Sequence, residues 1–283
     1  MNGFINICKE KGYTSHDVVA IIRKYTRQKT GHTGTLDPDA TGVLPICVGR
    51  ATKLADYVAA QDKTYAARIV LGITTDTGDI SGKILSQRAV SVSQDELQAA
   101  ALSFVGEYWQ TPPMYSAVKV GGKKLYELAR KGQEIERKPR LVKIYDLKIT
   151  GDCLEITCSK GTYIRSLCMD IGEKLGCGAA MGSLNRIRSG GFAIESSYSL
   201  EEIKTRAAEN RLDEIIIPPE QILPLRTMTI DPESLPRALN GNPVEIAKHY
   251  RTGEKFWLKD PDGCIIGLYS VKREGLLCVE VMF

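Results

Sequence analysis

Long apolar runs are missing from this sequence. Among its 283 residues, no stretch approaches the roughly 20 consecutive apolar residues that a helix needs to span a bilayer. Residues 1–5 (MNGFI) also lack the basic start and the long apolar stretch of a secretory signal. From these two absences we expect a cytoplasmic protein that does not associate with a membrane.

Metal-binding patterns are missing as well. The eight cysteines include no Cys-x-x-Cys pair, which argues against a zinc ribbon, and the three histidines lie far apart. In a cytoplasmic chain of this length, the cysteines are expected to be free thiols that mostly fill the core. We therefore expect no metal ion and no redox cofactor.

The positive charge of the chain is modest but unevenly distributed. The formal net charge is +4, yet the segment from Lys119 to Lys148 holds ten Lys or Arg residues and four Asp or Glu residues, a local net charge of +6. The segment is either a solvated loop or a clamp on a polyanion such as nucleic acid, and its charge alone does not decide between the two.

Strand-like and helix-like segments alternate in an irregular order, which favours an α+β fold over a doubly wound α/β sheet. Ser93 and Glu96 have the spacing of a capping box and predict a helix that runs to about Phe104. Residues 154–159 alternate in the manner of a half-buried strand. Other predicted strands are residues 3–8, 43–49 and 64–72, and other predicted helices begin near Ser15 and cover residues 51–61 and 164–174.

The C-terminal part of the chain differs from the rest. Residues 217–224 contain three prolines and are predicted to be a stiff connector. Beyond them, residues 256–258 and 265–269 flank the turn formed by residues 260–263 (DPDG), which predicts a β-hairpin. A small β-barrel after the connector fits this pattern.

The stretch from Gly31 to Leu44 is rich in Gly, Thr, Asp and Pro and is predicted to be a loop. Its composition leaves three interpretations of Asp37 open. The carboxylate could cap a helix that begins at Pro38, it could be catalytic, or it could bind a divalent ion together with Asp39. The loop lacks the lysine of the G-x-x-x-x-G-K-[ST] pattern, which excludes a nucleotide-binding P-loop.

Five short motifs, found in order along the chain, resemble those of the TruB family of tRNA pseudouridine synthases. They are residues 9–15 (KEKGYTS), 32–38 (HTGTLDP), 63–65 (KTY), 161–167 (GTYIRSL) and 184–190 (LNRIRSG). The chain departs from the family's usual residues at three positions. Glu10 stands where proline follows the lysine, Asn185 stands where arginine follows the leucine, and Gly191 stands where proline is common.

The resemblance implies a pseudouridine synthase fold, in which helices flank a mixed and mainly antiparallel sheet. It implies a catalytic domain at residues 1–222 with a basic RNA-binding insertion at about 110–143, and a PUA-like RNA-binding β-barrel at residues 226–283. The expected activity is the isomerisation of the T-loop uridine of tRNA, position 55, to pseudouridine. The expected partner is tRNA, with no cofactor and no guide RNA, and the expected oligomeric state is a monomer. A rival hypothesis is a tRNA-binding or refolding protein whose catalysis is incidental or lost.

The resemblance assigns the catalytic roles to three residues. Asp37 is the expected nucleophile. Arg165 is expected to hold the aspartate ionised in a closed, apolar pocket that would otherwise favour its protonation. Tyr65 is expected to stack on the uracil and to assist proton transfer. Without the motifs, Arg165 would be interpreted as a surface salt bridge and Tyr65 as a core residue of a strand.

Further residues are expected to bind the substrate. His32 is expected to take the place of the target base after that base has left its stack. Leu184 is expected to line the pocket, and Lys9 and Tyr163 to support it. From the basic segment, the residues expected to bind RNA are Lys119, Lys123 and Lys124.

Overall fold

The computed structural model describes residues 1–133, 135–246, 249–273 and 275–283. Within these ranges, no helix combines the length and the apolar character needed to cross a membrane. The α-helices are α1 (Ser15–Thr26), α2 (Ala55–Ala59), α3 (Gln94–Leu102), α4 (Leu125–Ala129), α5 (Ile164–Lys174), α6 (Leu200–Ala208), α7 (Pro219–Ile222) and α8 (Leu235–Leu239).

The strands form one large sheet, one smaller sheet and two short hairpins. They are β1 (Gly3–Lys9), β2 (Thr30–His32), β3 (Thr41–Val48), β4 (Lys63–Leu71), β5 (Ile73–Thr75), β6 (Ile84–Gln87), β7 (Gly106–Gln110), β8 (Lys119–Val120), β9 (Lys123–Lys124), β10 (Arg140–Thr150), β11 (Cys153–Cys158), β12 (Ala179–Ser189), β13 (Phe192–Ala193), β14 (Arg226–Thr229), β15 (Val244–Glu245), β16 (Lys255–Lys259), β17 (Ile265–Arg273) and β18 (Leu276–Met282).

The large sheet is mixed and mainly antiparallel, with helices packed against it, as the predicted α+β class requires. Its nine strands include the path β1-β3-β12-β4-β11-β10-β7, while β2 pairs with β3 and β13 pairs with β12. The central strand β12 runs parallel to β3 and antiparallel to β4. This arrangement brings together three segments that are far apart in the sequence and that contain the loop, Tyr65 and Leu184.

Two hydrophobic clusters lie against this sheet. In one cluster, α3 and α5 pack on β4, β10, β11 and β12, and in the other, α1 and α6 pack on β1 and β3. Tyr65 in β4 and Leu184 in β12 contact both clusters. The two side chains therefore lie where the two clusters meet, which fixes them from both sides.

Local sequence signals predicted several elements correctly. The capping box of Ser93 and Glu96 is confirmed at the start of α3, although the helix ends at Leu102 instead of Phe104. The predicted helix at residues 164–174 is confirmed as α5. In β11, Leu154, Ile156 and Cys158 are buried while their neighbours are more exposed, as the alternation predicted.

The predicted limits of the glycine-rich loop were wrong at both ends. Strand β2 extends to His32 and β3 begins at Thr41, so that the loop proper is residues 33–40. Pairing with β1 and β2 extends β3 beyond what its composition indicates. The helix predicted for residues 51–61 is also only partly correct, because the chain forms a 3-10 helix at Gly49–Leu54 before the short helix α2.

The C-terminal strands form a separate five-stranded sheet in the order β14-β16-β17-β18-β15. The predicted hairpin is confirmed, since β16 and β17 are antiparallel and joined through the turn at residues 260–263. The prediction of a stiff connector was incomplete. Ile222 and Leu223 are buried together with Phe4 of the large sheet and Trp257 of the small one, and the Trp257 indole donates a hydrogen bond to the Leu223 carbonyl at 2.8 Å.

Candidate active site

A cavity of about 290 Å³ opens where the glycine-rich loop, β4, β12 and the start of α5 meet. Its lining comes from five well-separated parts of the chain, within residues 33–37, 59–65, 115–117, 160–165 and 184–186. The predicted site residues that line it are Asp37, Tyr65, Tyr163, Arg165 and Leu184. The structure thus brings five of the ten predicted site residues together around one cavity.

Asp37 and Arg165 form an ion pair at the cavity, with 3.0 Å between Asp37 Oδ2 and Arg165 Nη2. The Arg165 side chain is 6% exposed, so its interpretation as a surface salt bridge was wrong. The expectation of a closed pocket was also wrong, because the Asp37 side chain is 44% exposed at the mouth of the cavity. The carboxylate is therefore held by a buried cation and remains accessible from solvent.

The helix-capping interpretation of Asp37 is wrong as well. No helix begins at Pro38, since residues 38–40 form a turn and β3 begins at Thr41. Instead, the Ala40 amide donates a hydrogen bond to the Asp37 carbonyl at 3.1 Å, which closes a tight turn over Pro38. The Asp37 side chain is consequently not occupied with backbone amides of a helix end and can point into the cavity.

Arg165 is fixed by backbone acceptors and by a second carboxylate. Its Nη1 donates to the Thr77 carbonyl at 3.0 Å and its Nη2 donates to the Tyr115 carbonyl at 2.7 Å. Asp79 Oδ2 lies 3.9 Å from Arg165 Nη1. Nothing local in the sequence around Asp79 signals this contact, because the two residues meet only in the folded chain.

Tyr65 lies on β4 between Ile156 of β11 and Arg186 of β12. Burial raises the pKa of Tyr65, and the neighbouring Arg186 guanidinium works against that rise. The phenol is therefore protonated near neutral pH. It can donate or accept a hydrogen bond at the cavity, but it is not a standing phenolate base.

Tyr163 is held by a buried glutamine that the sequence did not single out. The Tyr163 amide donates to Gln110 Oε1 at 2.8 Å, and Gln110 Nε2 donates back to the Tyr163 carbonyl at 3.0 Å. Gln110 is 1% exposed. These paired bonds tie the end of β7 to the start of α5, directly before Arg165.

Lys9 is buried behind the loop instead of lining the cavity. Its ammonium donates to the carbonyls of Pro38 at 3.1 Å and Tyr13 at 2.7 Å, and burial lowers its pKa. Lys9 thus supports the turn that carries Asp37. Its neighbour Glu10 is exposed, so the anion gained at that position faces solvent and not the pocket.

His32 lies at the end of β2, next to the cavity but not in its lining. Its Nδ1 accepts a hydrogen bond from the Gly34 amide at 3.2 Å, and its ring packs edge-on against His16 with 5.4 Å between centroids. Burial lowers the pKa of His32 to about 4, assisted by the charges of His16 and Arg186. The imidazole is therefore neutral at physiological pH.

The three predicted RNA-binding lysines lie outside the cavity. Lys119 and Lys123 are exposed on the β8–β9 hairpin, and Lys124 is half-buried with its ammonium 5.4 Å from the centroid of the Tyr126 ring. The structure does not bring them into contact with the Asp37–Arg165 pair.

Two buried cations of the cavity were missed. Arg186 is 2% exposed and binds three backbone carbonyls, and Lys63 donates to the carbonyls of Ala59 and Gln61. Burial lowers the pKa of Lys63 to about 8. Both residues lie within the recognised motifs. The contacts of Arg186 depend on the sheet register, whereas Lys63 bonds to carbonyls two and four residues before it in the chain.

The cysteines are free thiols, and most of them are at least partly buried. Among the described residues, no group of three or more His, Cys, Asp or Glu side chains is arranged to hold a metal ion. Asp37 and Asp39 do not converge on one point, since Asp39 forms an exposed ion pair with Lys11 at 3.7 Å.

Comparison with solved structures identifies the fold. A chain of an H/ACA RNP bound to a substrate RNA containing 2′-deoxyuridine superimposes with a TM-score of 0.73 at 25% identity, covering 99% of this chain and 84% of that one. A chain of a Cbf5-Nop10-Gar1 complex gives the same TM-score at 28% identity and the same coverage. The chain therefore has the pseudouridine synthase fold.

Sequence comparison narrows the assignment. The N-terminal domain model of the TruB family pseudouridylate synthases matches residues 23–164, and the model of the tRNA pseudouridylate synthase B C-terminal domain matches residues 165–224. Curated relatives named tRNA pseudouridine synthase B include one from Alkaliphilus oremlandii, 50% identical over 86% of this chain and 83% of its own length. Another, from Clostridium tetani, is 44% identical over 100% of both chains. This chain belongs to the TruB family of pseudouridylate synthases.

Proposed function

We propose that this protein converts the T-loop uridine of tRNA, position 55, to pseudouridine, and that Asp37 is its nucleophile. The observation that carries the proposal is the ion pair between Asp37 and the buried Arg165 at the mouth of the cavity. The curated relatives are named as tRNA-modifying enzymes, which supports tRNA as the substrate.

The reaction exchanges one bond for another on the same two rings. The bond between ribose C1′ and uracil N1 breaks, the uracil turns, and a bond forms between C1′ and C5. The proton on C5 is lost and N1 gains one, so that the product is an isomer of the substrate. An Asp37 carboxylate can serve as the nucleophile of this exchange, either at C6 of the base or at C1′ of the ribose.

Arg165 keeps the nucleophile in place throughout this exchange. The Thr77 and Tyr115 carbonyls fix its guanidinium, so that the group keeps its position while the substrate rearranges. A fixed cation next to Asp37 holds the carboxylate oxygens in place at the start and receives the carboxylate again when the product leaves.

Tyr65 and Leu184 provide the surface that holds the uracil. Both line the cavity and are packed into the two hydrophobic clusters, which makes them rigid. An aromatic ring stacks on a base, and a protonated phenol relays a proton through its hydroxyl without having to be ionised.

The target base has to leave its stack to enter a cavity of about 290 Å³. The neutral imidazole of His32 next to the cavity is suited to stack on the bases that remain. Lys119, Lys123 and Lys124 project from the basic insertion and are suited to bind phosphates.

We further propose that the chain is organised as a catalytic domain at residues 1–222 and a PUA-like RNA-binding domain at residues 226–283. The two separate sheets support this division. We also propose that the protein acts as a cytoplasmic monomer without a guide RNA. The high identity to relatives named as tRNA pseudouridine synthases supports a stand-alone enzyme.

The test is pseudouridine formation in an unmodified tRNA transcript, with no metal, cofactor or guide RNA added. We expect conversion by the wild-type protein and none by Asp37→Asn. The affinity of the variant for tRNA should stay within about tenfold, or roughly 1.4 kcal/mol. Asp39→Asn is the matched control, because it removes a carboxylate two residues away that is exposed and paired with Lys11.

Each outcome separates the hypotheses. Conversion by wild type and Asp39→Asn but not by Asp37→Asn would establish the reaction and its nucleophile. A collapse of tRNA binding in Asp37→Asn would show that Asp37 is structural. Tight binding without conversion by the wild type would favour a tRNA-binding or refolding protein.

A further inference from the structure

The guanidinium of Arg186 bridges the two backbone limbs on either side of Asp37, the loop residues before it and the start of β3 after it. Its Nε donates to the Val43 carbonyl at 2.8 Å, its Nη2 to the Gly34 carbonyl at 3.0 Å and its Nη1 to the Thr35 carbonyl at 3.5 Å. The first acceptor follows Asp37 in the chain and the other two precede it. One rigid, planar group thus sets the separation of the two limbs.

The backbone of Arg186 is itself fixed between two strands. Arg186 is paired with Gly42 of β3 on one side and with Tyr65 of β4 on the other. A Cβ atom at Gly42 would lie 2.3 Å from the Arg186 carbonyl oxygen, so only glycine permits this approach. The register of β12 against β4 shifts between Arg186 and Arg188, and such bulges re-aim side chains near active sites.

An uncharged side chain could fill the space that Arg186 occupies. Its side chain is 2% exposed, and its three acceptors are neutral carbonyls. A buried cation costs desolvation free energy, which a well-packed apolar side chain would avoid. An apolar side chain cannot bind several carbonyls at fixed spacing, whereas the guanidinium fork can.

We propose that Arg186 is a positioning residue that sets the spacing between Asp37 and Tyr65 during the reaction. The inference rests on the proposed function, in which both of these residues act on the uracil. The nucleophile belongs to a loop and the tyrosine to a strand, and Arg186 is paired with the strand through its backbone and bound to the loop through its side chain. A misplacement of about 1 Å between reacting groups can lower a rate about 10²-fold.

The test compares Arg186→Lys with Arg188→Lys. The lysine at position 186 keeps the charge, but its ammonium cannot span both limbs of the loop. We expect the single-turnover rate constant on unmodified tRNA to fall about 10²-fold, while the Kd for tRNA stays within about threefold. Arg188 is the matched control, since its side chain binds Thr64 and Gly190 and not the loop. Arg188→Lys should leave both quantities within about threefold of wild type.

Four outcomes would overturn the proposal. The first is a rate for Arg186→Lys equal to that of the control, and the second is a parallel loss of rate and tRNA binding, which a purely structural role would produce. If Arg186→Lys does not fold, Arg186→Gln replaces it in the same comparison. Failure of both variants to fold is the third, because Arg186 would then act in folding. A normal rate in Arg186→Gln is the fourth.

The failure of this inference is distinguishable from that of the proposed function. A wild-type protein that makes no pseudouridine would contradict the proposed function itself. An active wild type together with an unimpaired Arg186→Lys would contradict only the role of Arg186.

Discussion

Positive charge occurs in two regions of this protein that are constructed differently. At the cavity, Arg165 and Arg186 are almost completely buried, and backbone carbonyls determine where their guanidinium groups lie. In the basic insertion, Lys119 and Lys123 are exposed on a two-stranded hairpin. The first group of cations is preorganised, whereas the second is free to adapt to a partner.

The buried and the exposed cations have two different roles, which the net charge of the chain does not distinguish. A buried cation that is hydrogen-bonded to backbone carbonyls cannot move toward a phosphate, but it holds catalytic groups in position at little reorganisation cost during the reaction. An exposed lysine binds phosphates in competition with salt and contributes mainly to affinity. Substitutions at the cavity should therefore change the rate, and substitutions in the insertion should change the binding.

Among substitutions of these cations, the largest effect is expected for Arg165→Lys. A lysine retains one positive charge but cannot satisfy the Thr77 and Tyr115 carbonyls and Asp37 together, so that the nucleophile loses its fixed partner. We expect the single-turnover rate constant to fall about 10³-fold, or roughly 4 kcal/mol of transition-state stabilisation. The Kd for tRNA, measured by filter binding, should change less than about threefold.

Arg211→Lys is the control for this prediction. Arg211 also bonds to two carboxylates, Glu209 and Glu214, but its side chain is 51% exposed. Because exposed ion pairs contribute little, this change should leave the rate and the melting temperature close to wild type. A normal rate for the Arg165→Lys protein would contradict the conclusion that the cations at the cavity determine the rate.

A smaller effect, and one of a different kind, is expected from the triple change of Lys119, Lys123 and Lys124 to Ala. The affinity for tRNA should fall about 10²-fold at physiological salt, and the slope of log K against log salt should decrease by about 2 to 3. The single-turnover rate constant at saturating protein should be unchanged. Titrations at several salt concentrations measure the slope directly.

Lys204→Ala serves as the control, because Lys204 is exposed on α6 and paired with Glu201. It should alter neither the affinity nor the salt slope. A triple variant that bound normally but turned over slowly would contradict the comparison, since the insertion would then act on catalysis.

The sequence predicted those parts of the site that are encoded in continuous stretches. Asp37, Tyr65, Arg165 and Leu184 each lie within a short motif, and the structure gathers them around one cavity. The fold class followed in the same way from the order of local elements. The motifs and the secondary-structure elements depend on residues that are close together in the chain, so they can be recognised from the sequence.

The parts that were missed depend on contacts between distant segments. Asp79, Gln110 and Arg186 become site residues only through the register of the sheet and the packing of α5. The conformation of the chain after Asp37 could not be predicted from its neighbours either, because an Asp-Pro pair suits a helix start and a tight turn equally well. Contacts of the loop with Lys9 and Arg186 accompany the turn, and composition alone does not contain them.

The smallest effect is expected from the titration of His32, which lies beside the cavity. Burial is the main cause that lowers its pKa to about 4, and His16 and Arg186 add to it. Because an unfolded histidine titrates near 6.5, the unfolded chain binds a proton between about pH 6.5 and 4 while the folded chain does not. The contribution of His32 to stability is complete above pH 6.5 and is lost as the pH falls toward 4.

The measurement is the free energy of unfolding by urea from pH 7 to pH 4.5, compared between wild type and His32→Gln. The wild type should lose about 2 kcal/mol more than the variant over this range. Asp170, whose pKa burial raises to about 6, contributes with the opposite sign, so the difference between the two proteins is the informative quantity. Identical pH profiles for wild type and His32→Gln would mean that folding does not lower the pKa of His32, so that the imidazole of the folded chain takes up its proton below about pH 6.5 as an unfolded histidine does.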